Sequence, residues 1–260
     1  MSRNTAYLFN QKYTYFLLGV IVVLSVPFAI YAFQLSKSGF SIGLAEMEVR
    51  NIPLNQTGNY FSNQSLSLHF ILGALLTLLA PIQVMLGWSR KAMIWHKWLG
   101  FLIVGAGILT GLGGLLYILL NGTIGGTVMN IAFAGYGLLM VVSAIKSGQY
   151  ARNKQLKLHE EWSMRLFILA VGSWVYRLGY GMVLAQYPDI TETIGEFAVY
   201  ADFRGPFDYF MDFSFYLLPL LGLEFYFKYA KKRAHPLLVS SMLLLITCFF
   251  IYGFWGFFGV

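Results

Sequence analysis

Seven apolar stretches alternate with short polar or charged segments along the chain, at about 13–34, 66–88, 97–120, 126–147, 160–186, 207–229 and 236–258. A helix crosses the hydrocarbon layer of a bilayer in about 20 residues. A soluble core accounts for one stretch of that length, not for seven. The first run, from Tyr13 to Phe33, is longer than the apolar core of a signal peptide, and no small-x-small cleavage pattern follows it, so it reads as a retained span. The pattern predicts an all-α integral membrane protein, a bundle of seven transmembrane helices forming a single multi-pass domain over 1–260. Two longer loops, at about 35–65 and 187–206, lie at one end of it.

Charge fixes the orientation. Only 11% of residues are charged and 58% are apolar, whereas a soluble domain carries about 25% charged residues. Arg90, Lys91 and Lys97 fall between spans two and three, Lys146, Arg152, Lys154 and Lys157 between four and five, and Lys228, Lys231, Lys232 and Arg233 between six and seven. The opposite loops hold Glu46, Glu48 and Arg50, then the uncharged 121–125, then Asp189, Glu192, Glu196 and Asp202. Basic loops stay cytoplasmic, so the expected topology has a cytoplasmic N terminus and an outside C terminus. The net charge of +7 is therefore a topology signal and no nucleic-acid partner is expected. The bilayer is the expected partner, with other membrane proteins open. The lone Cys248 lies in an apolar run and reads as a small apolar residue. Three Asn-x-Ser/Thr patterns, at Asn55, Asn63 and Asn121, fall on the outer side and are read as chance matches.

Helix faces predict tight packing. His69, Gly73, Thr77 and Ala80 share a face of span two, and Gly100, Gly107, Gly111 and Gly114 share one of span three. Small residues at helical spacing let backbones approach closely in lipid, and they turn His69 and His96 toward protein. Polar side chains within such spans need a reason to be there. Arg177 lies about nine residues inside the outer end of span five, roughly 13 Å deep at 1.5 Å per residue. Asp208 and Asp212 open span six on the same side and share one helix face. His69, Arg177 and Asp212 are thus expected to form an outer polar cluster, either a structural ion pair or a site for a small-molecule ligand.

The inner end gathers His96, His159 and Arg165, with Glu224 placed to pair with Arg165 or to reach the interface. His159 and Arg177 are five whole turns apart on span five, so one face could run from the inner to the outer end. Two His on facing helices at matching depth can bind one b-type haem. His96 and His159 meet that condition, with Arg165 beside them as a cofactor-binding residue. The alternative is an interfacial belt, since Trp95, Trp98 and Trp162 suit the headgroup layer. The chain has four His. Only His69 lies in the outer half, so a two-haem relay is excluded by counting, and one inner haem b or metal remains. His235-Pro236 marks the start of span seven. Cys-x-x-Cys-His, phosphate-loop, His-Glu-x-x-His and nucleophile-elbow patterns do not occur.

The ordered motifs from His69 to Arg177 resemble the bacterial predicted membrane proteins grouped as domain of unknown function 2306. The matching positions are His69, Gly73 and Pro81-Ile82-Gln83, then His96-Lys97-Trp98-Leu99-Gly100, where Lys stands for the family's Arg. His159, Trp162, Arg165 and Arg177 follow, with Ser163 in place of a Met, and Glu224 is similar to an acidic residue of a late span. The family-like core covers about 66–186. The resemblance implies a multi-pass protein of a bacterial inner (plasma) membrane and adds weight to His69, His96, His159, Arg165 and Arg177. It names no ligand.

Three functions follow from the sequence: a redox protein with haem b or a metal on His96 and His159, a transporter or ligand-binding module using His69, Arg177 and Asp212, and an accessory subunit of a membrane complex. Enzymatic activity stays open, since an acid–base role for His159 and Glu160 comes with no substrate clue.

Overall fold

A computed structural model of the chain describes residues 3–40, 48–49, 52–53, 60–87, 92–186, 203–230, 245–246, 248–249 and 251–256. Six long helices dominate: α1 Arg3–Phe40, α2 Tyr60–Gly87, α3 Met93–Asn121, α4 Gly126–Arg152, α5 Leu156–Gln186 and α6 Pro206–Phe225. Each contains a segment long and apolar enough to cross a membrane. α6 continues into a π-helical turn, Tyr226–Ala230. Two short strands, Glu48–Val49 and Ile52–Pro53, pair antiparallel in the first long loop. The expected seventh span and His235 lie largely outside the described residues. Those described near the C terminus are helical, and Ile246, Phe249 and Phe254 pack with Phe28, Trp174 and Leu178.

Helices α2, α3, α4 and α5 close into a ring, each touching the next and α5 returning to α2. α1 lies outside on α2, and α6 packs against α4 and α5. Small residues permit this geometry. A Cβ on Gly111 of α3 would fall 2.8 Å from the Gly137 carbonyl oxygen of α4, so the two backbones are in direct contact there. Inside the ring, Leu76 and Ala80 meet Ala106, Met140, Ala144, Leu169 and Ala170. The hydroxyl of Thr77 is held by the Gly73 carbonyl at 2.9 Å and the Ala170 carbonyl at 3.3 Å, satisfying a polar group that the surroundings could not otherwise tolerate. α5 is the central helix: Trp174, Leu169 and Leu178 have no exposed surface.

α2 begins at Tyr60, six residues before the expected start at 66. Its first turn is polar, yet Ser62 and Asn63 are buried and Ser62 is bonded by the Asn121 amide of α3. The end of α3 gives Ser62 the partner that water would otherwise give, so the helix extends past its apolar stretch.

Candidate functional site

At one end of the ring, the last turns of α2 and the first of α3 are joined by a reciprocal pair. The Gln83 side-chain amide donates to the His96 carbonyl at 2.9 Å, and His96 Nδ1 meets the Gln83 carbonyl oxygen at 3.2 Å. A carbonyl only accepts, so Nδ1 carries the hydrogen. Two glycines make room. A Cβ on Gly87 would fall 3.1 Å from His96 Cε1, and one on Gly100 would fall 2.9 Å from Gln83 Nε2. The Pro-x-Gln motif of α2 and the His-Lys-Trp-Leu-Gly motif of α3 are therefore each other's partners. Trp95 and Trp98 point outward, 69% and 66% exposed, while His96 between them is half-buried. His96 therefore faces protein while its two tryptophan neighbours do not.

His159 sits at the same end on α5. Its Nδ1 donates to the Ser147 carbonyl of α4 at 3.0 Å, and the Ser147 and Ser163 hydroxyls bond each other at 2.7 Å beside the ring. The His96 and His159 rings stand 6.3 Å apart, centre to centre, with planes at 81°. Both imidazoles thus spend Nδ1–H on a backbone carbonyl of a different helix, which leaves Nε2 of each available. Among the described residues no group of three or more His, Cys, Asp or Glu is placed to hold a metal ion.

Arg165 does not join the histidines. Its guanidinium forms a two-pronged bond to Glu224, Nε–Oε1 at 2.6 Å and Nη2–Oε2 at 2.9 Å, and lies over the Trp162 and Phe227 rings. It ties α5 to α6, the pairing that the sequence allowed for Glu224.

His69, Arg177 and Asp212, toward the other end, take separate hydrogen-bond partners. His69 Nδ1 donates to the Thr110 carbonyl of α3 at 2.8 Å, its ring fitting where a Cβ on Gly114 would fall 3.0 Å away. Arg177 bonds the Ser173 carbonyl at 3.0 Å and lies over Phe28 and Tyr31 of α1. Asp212 accepts from Tyr176 at 3.2 Å. The expected contact between Arg177 and Asp212 is absent: the long Arg side chain turns to the aromatic face of α1, and the carboxylate finds hydroxyls on α5. The expected polar face from His159 to Arg177 likewise divides, since His159 reaches α4 and Arg177 reaches α1. Tyr176 and Tyr180 were missed as partners of the aspartates. The signal was present: two tyrosines four apart on α5 match two aspartates four apart on the following antiparallel helix.

These helices define a multi-pass membrane protein with a paired-histidine site at one end. The model of the predicted membrane protein family DUF2306 matches residues 66–199, and the chain belongs to that family. No curated protein and no solved structure matches it.

Proposed function

We propose that His96 and His159 hold one haem b at the cytoplasmic end of the bundle, and that the protein serves electron transfer in a bacterial inner membrane with its N terminus inside. The observation that carries this is the ring separation of 6.3 Å. Metal–nitrogen bonds of about 2 Å, with an imidazole radius of about 1 Å, place two rings sharing one ion about 6 Å apart. The donor set agrees. Nδ1–H of each ring is held by a carbonyl, the usual support of a ligating histidine, so Nε2 of each would be the atom that holds the iron. Two histidines with no third ligand among the described residues would suit a haem iron better than a bare ion. The haem would supply one-electron chemistry. The chain would supply two imidazole nitrogens, each held in one tautomer by a backbone carbonyl, at the end of the helix ring.

A solute grip by His69, Arg177 and Asp212 has less support, because their side chains go to three different neighbours. The test is the visible spectrum and iron content of the protein purified from membranes. A Soret band with one iron per chain is expected. A colourless, iron-free protein from haem-replete cells would discard the proposal.

A further inference from the structure

A second polar device lies in the outer half, apart from the inner histidines and independent of them. Asp208 and Asp212 of α6 have no exposed surface. Tyr180 donates to Asp208 Oδ1, Tyr176 donates to Asp212 Oδ1 at 3.2 Å, and the two tyrosine oxygens lie 3.3 Å apart. The result is a row of oxygens, Asp212–Tyr176–Tyr180–Asp208, with three contacts along it. Each contact needs one hydrogen. The two hydroxyls supply two. With both carboxyls ionised, the hydroxyls donate outward to the aspartates and the tyrosine oxygens face each other with nothing between. One further proton completes the row: Asp212 donates to Tyr176, Tyr176 to Tyr180, and Tyr180 to Asp208.

A separate observation says where that proton rests. Asp208 Oδ2 accepts the Gly205 backbone N–H at 2.9 Å, in the first turn of α6, where a negative charge is favoured. Asp212 Oδ2 is buried with no hydrogen-bond partner among the described residues. An ionised carboxylate with a bare oxygen inside a membrane span is costly, whereas the carbonyl oxygen of a neutral acid is far less so. No neighbouring helix brings it a cation among the described residues. From α4 come Phe133 and Tyr136, the latter bonded to the Leu169 carbonyl. On α5, Arg177 is turned to α1. Arg204, before α6, lies against Gly126 at the start of α4.

We propose that this network is a proton-binding site, with one proton held by Asp212 and shared with Asp208 through Tyr176 and Tyr180. Its transfer balances. Asp212 gives its hydrogen to the Tyr176 oxygen, Tyr176 passes its own to Tyr180, and Tyr180 passes its own to Asp208 Oδ1. Asp212 ends ionised, Asp208 ends as the acid, and one proton has moved toward the outer end of α6.

Infrared spectroscopy of the full chain in lipid tests this at neutral pH. The chain's aspartates are Asp189, Asp202, Asp208 and Asp212. The expected result is a carboxylic acid carbonyl band that moves on carbon-13 labelling of aspartate, disappears in Asp212→Asn and shifts to higher frequency in Tyr176→Phe. A wild-type spectrum with no label-sensitive acid band overturns the proposal, and this measurement needs no variant to fold. So does a band that survives Asp212→Asn unchanged.

Discussion

His96 and His159 meet across one end of the bundle with ring centres 6.3 Å apart, and each is fixed by a carbonyl from a helix other than its own. His96 belongs to α3 and is held by α2, while His159 belongs to α5 and is held by α4. All four helices of the ring therefore converge on this one pair. Neither imidazole can turn without giving up a cross-helix hydrogen bond, which is the rigidity a ligand pair needs.

If the pair holds haem, His96→Ala and His159→Ala each abolish the Soret absorbance per chain, and His69→Ala retains it. His69 lies about 21 Å along the bundle from His96, judged from the 14 residues of α3 between His96 and Thr110 at 1.5 Å each. Gln83→Ala keeps both ligands but frees the backbone that positions His96. Residues that orient a ligating histidine typically change affinity about 10–100-fold, and haem retention under dilution is the measurement. Equal loss in His69→Ala and His159→Ala would refute the assignment.

The close approach of α3 and α4 should be sensitive to a single methyl group. A Cβ on Gly111 would sit 2.7 Å from Val141 Cγ2 and 2.8 Å from the Gly137 carbonyl oxygen, and a carbonyl cannot move without its helix. The corresponding atom on Gly107 would be 3.4 Å from Ala144 Cβ and Leu166 Cδ1, an ordinary contact. Gly111→Ala is expected to cost about 1–3 kcal/mol, the range for overpacking a filled interior. Gly107→Ala should be nearly neutral. Thermal unfolding of the two variants in the same detergent gives the comparison.

Much of this was legible in the sequence, and what was hidden has a physical reason. Apolar runs of spanning length gave the six helices, and the glycine stripe of α3 turned His96 inward. The histidine partners were invisible because they are backbone carbonyls: Gln83, Ser147 and Thr110 accept through atoms that every residue possesses. The early start of α2 was hidden because polar Ser62 and Asn63 read as loop, while the end of α3 supplies a partner for Ser62. The Arg177–Asp212 pairing was inferred from opposite charge at similar depth, but depth along a bundle does not say which neighbour a long side chain reaches.

That last difference is measurable. Arg177 lies 5.1 Å from the centre of the Phe28 ring and 5.8 Å from that of Tyr31. A double-mutant cycle on Arg177→Met and Phe28→Leu should show a coupling of about 0.5–2 kcal/mol, the range for a cation over an aromatic face. The cycle on Arg177→Met and Asp212→Asn should be additive to within about 0.5 kcal/mol, as for sites that share no partner. Strong coupling in the second cycle and none in the first would mean that Arg177 faces α6 instead of α1.

Arg165 and Glu224 join α5 to α6 near the histidine end of the bundle by a bidentate bond, with 18% and 50% of their side chains exposed. Water reaches this pair, so its two bonds cannot be valued as buried ones. Exposed pairs contribute about 0.2–1 kcal/mol and lose it as salt rises. Good fork geometry and the Trp162 ring beneath the guanidinium place this one toward the upper end. Arg165→Ala should destabilise more than Glu224→Ala, because it also removes the stacking on Trp162 and Phe227. The exchanged double variant, Arg165→Glu with Glu224→Arg, should recover the ion pair but not the stacking, and so fall between wild type and Arg165→Ala. Melting temperatures at low and high salt check the order. If raising the salt leaves the wild-type advantage unchanged, the junction is held by aromatic packing and the charges contribute little.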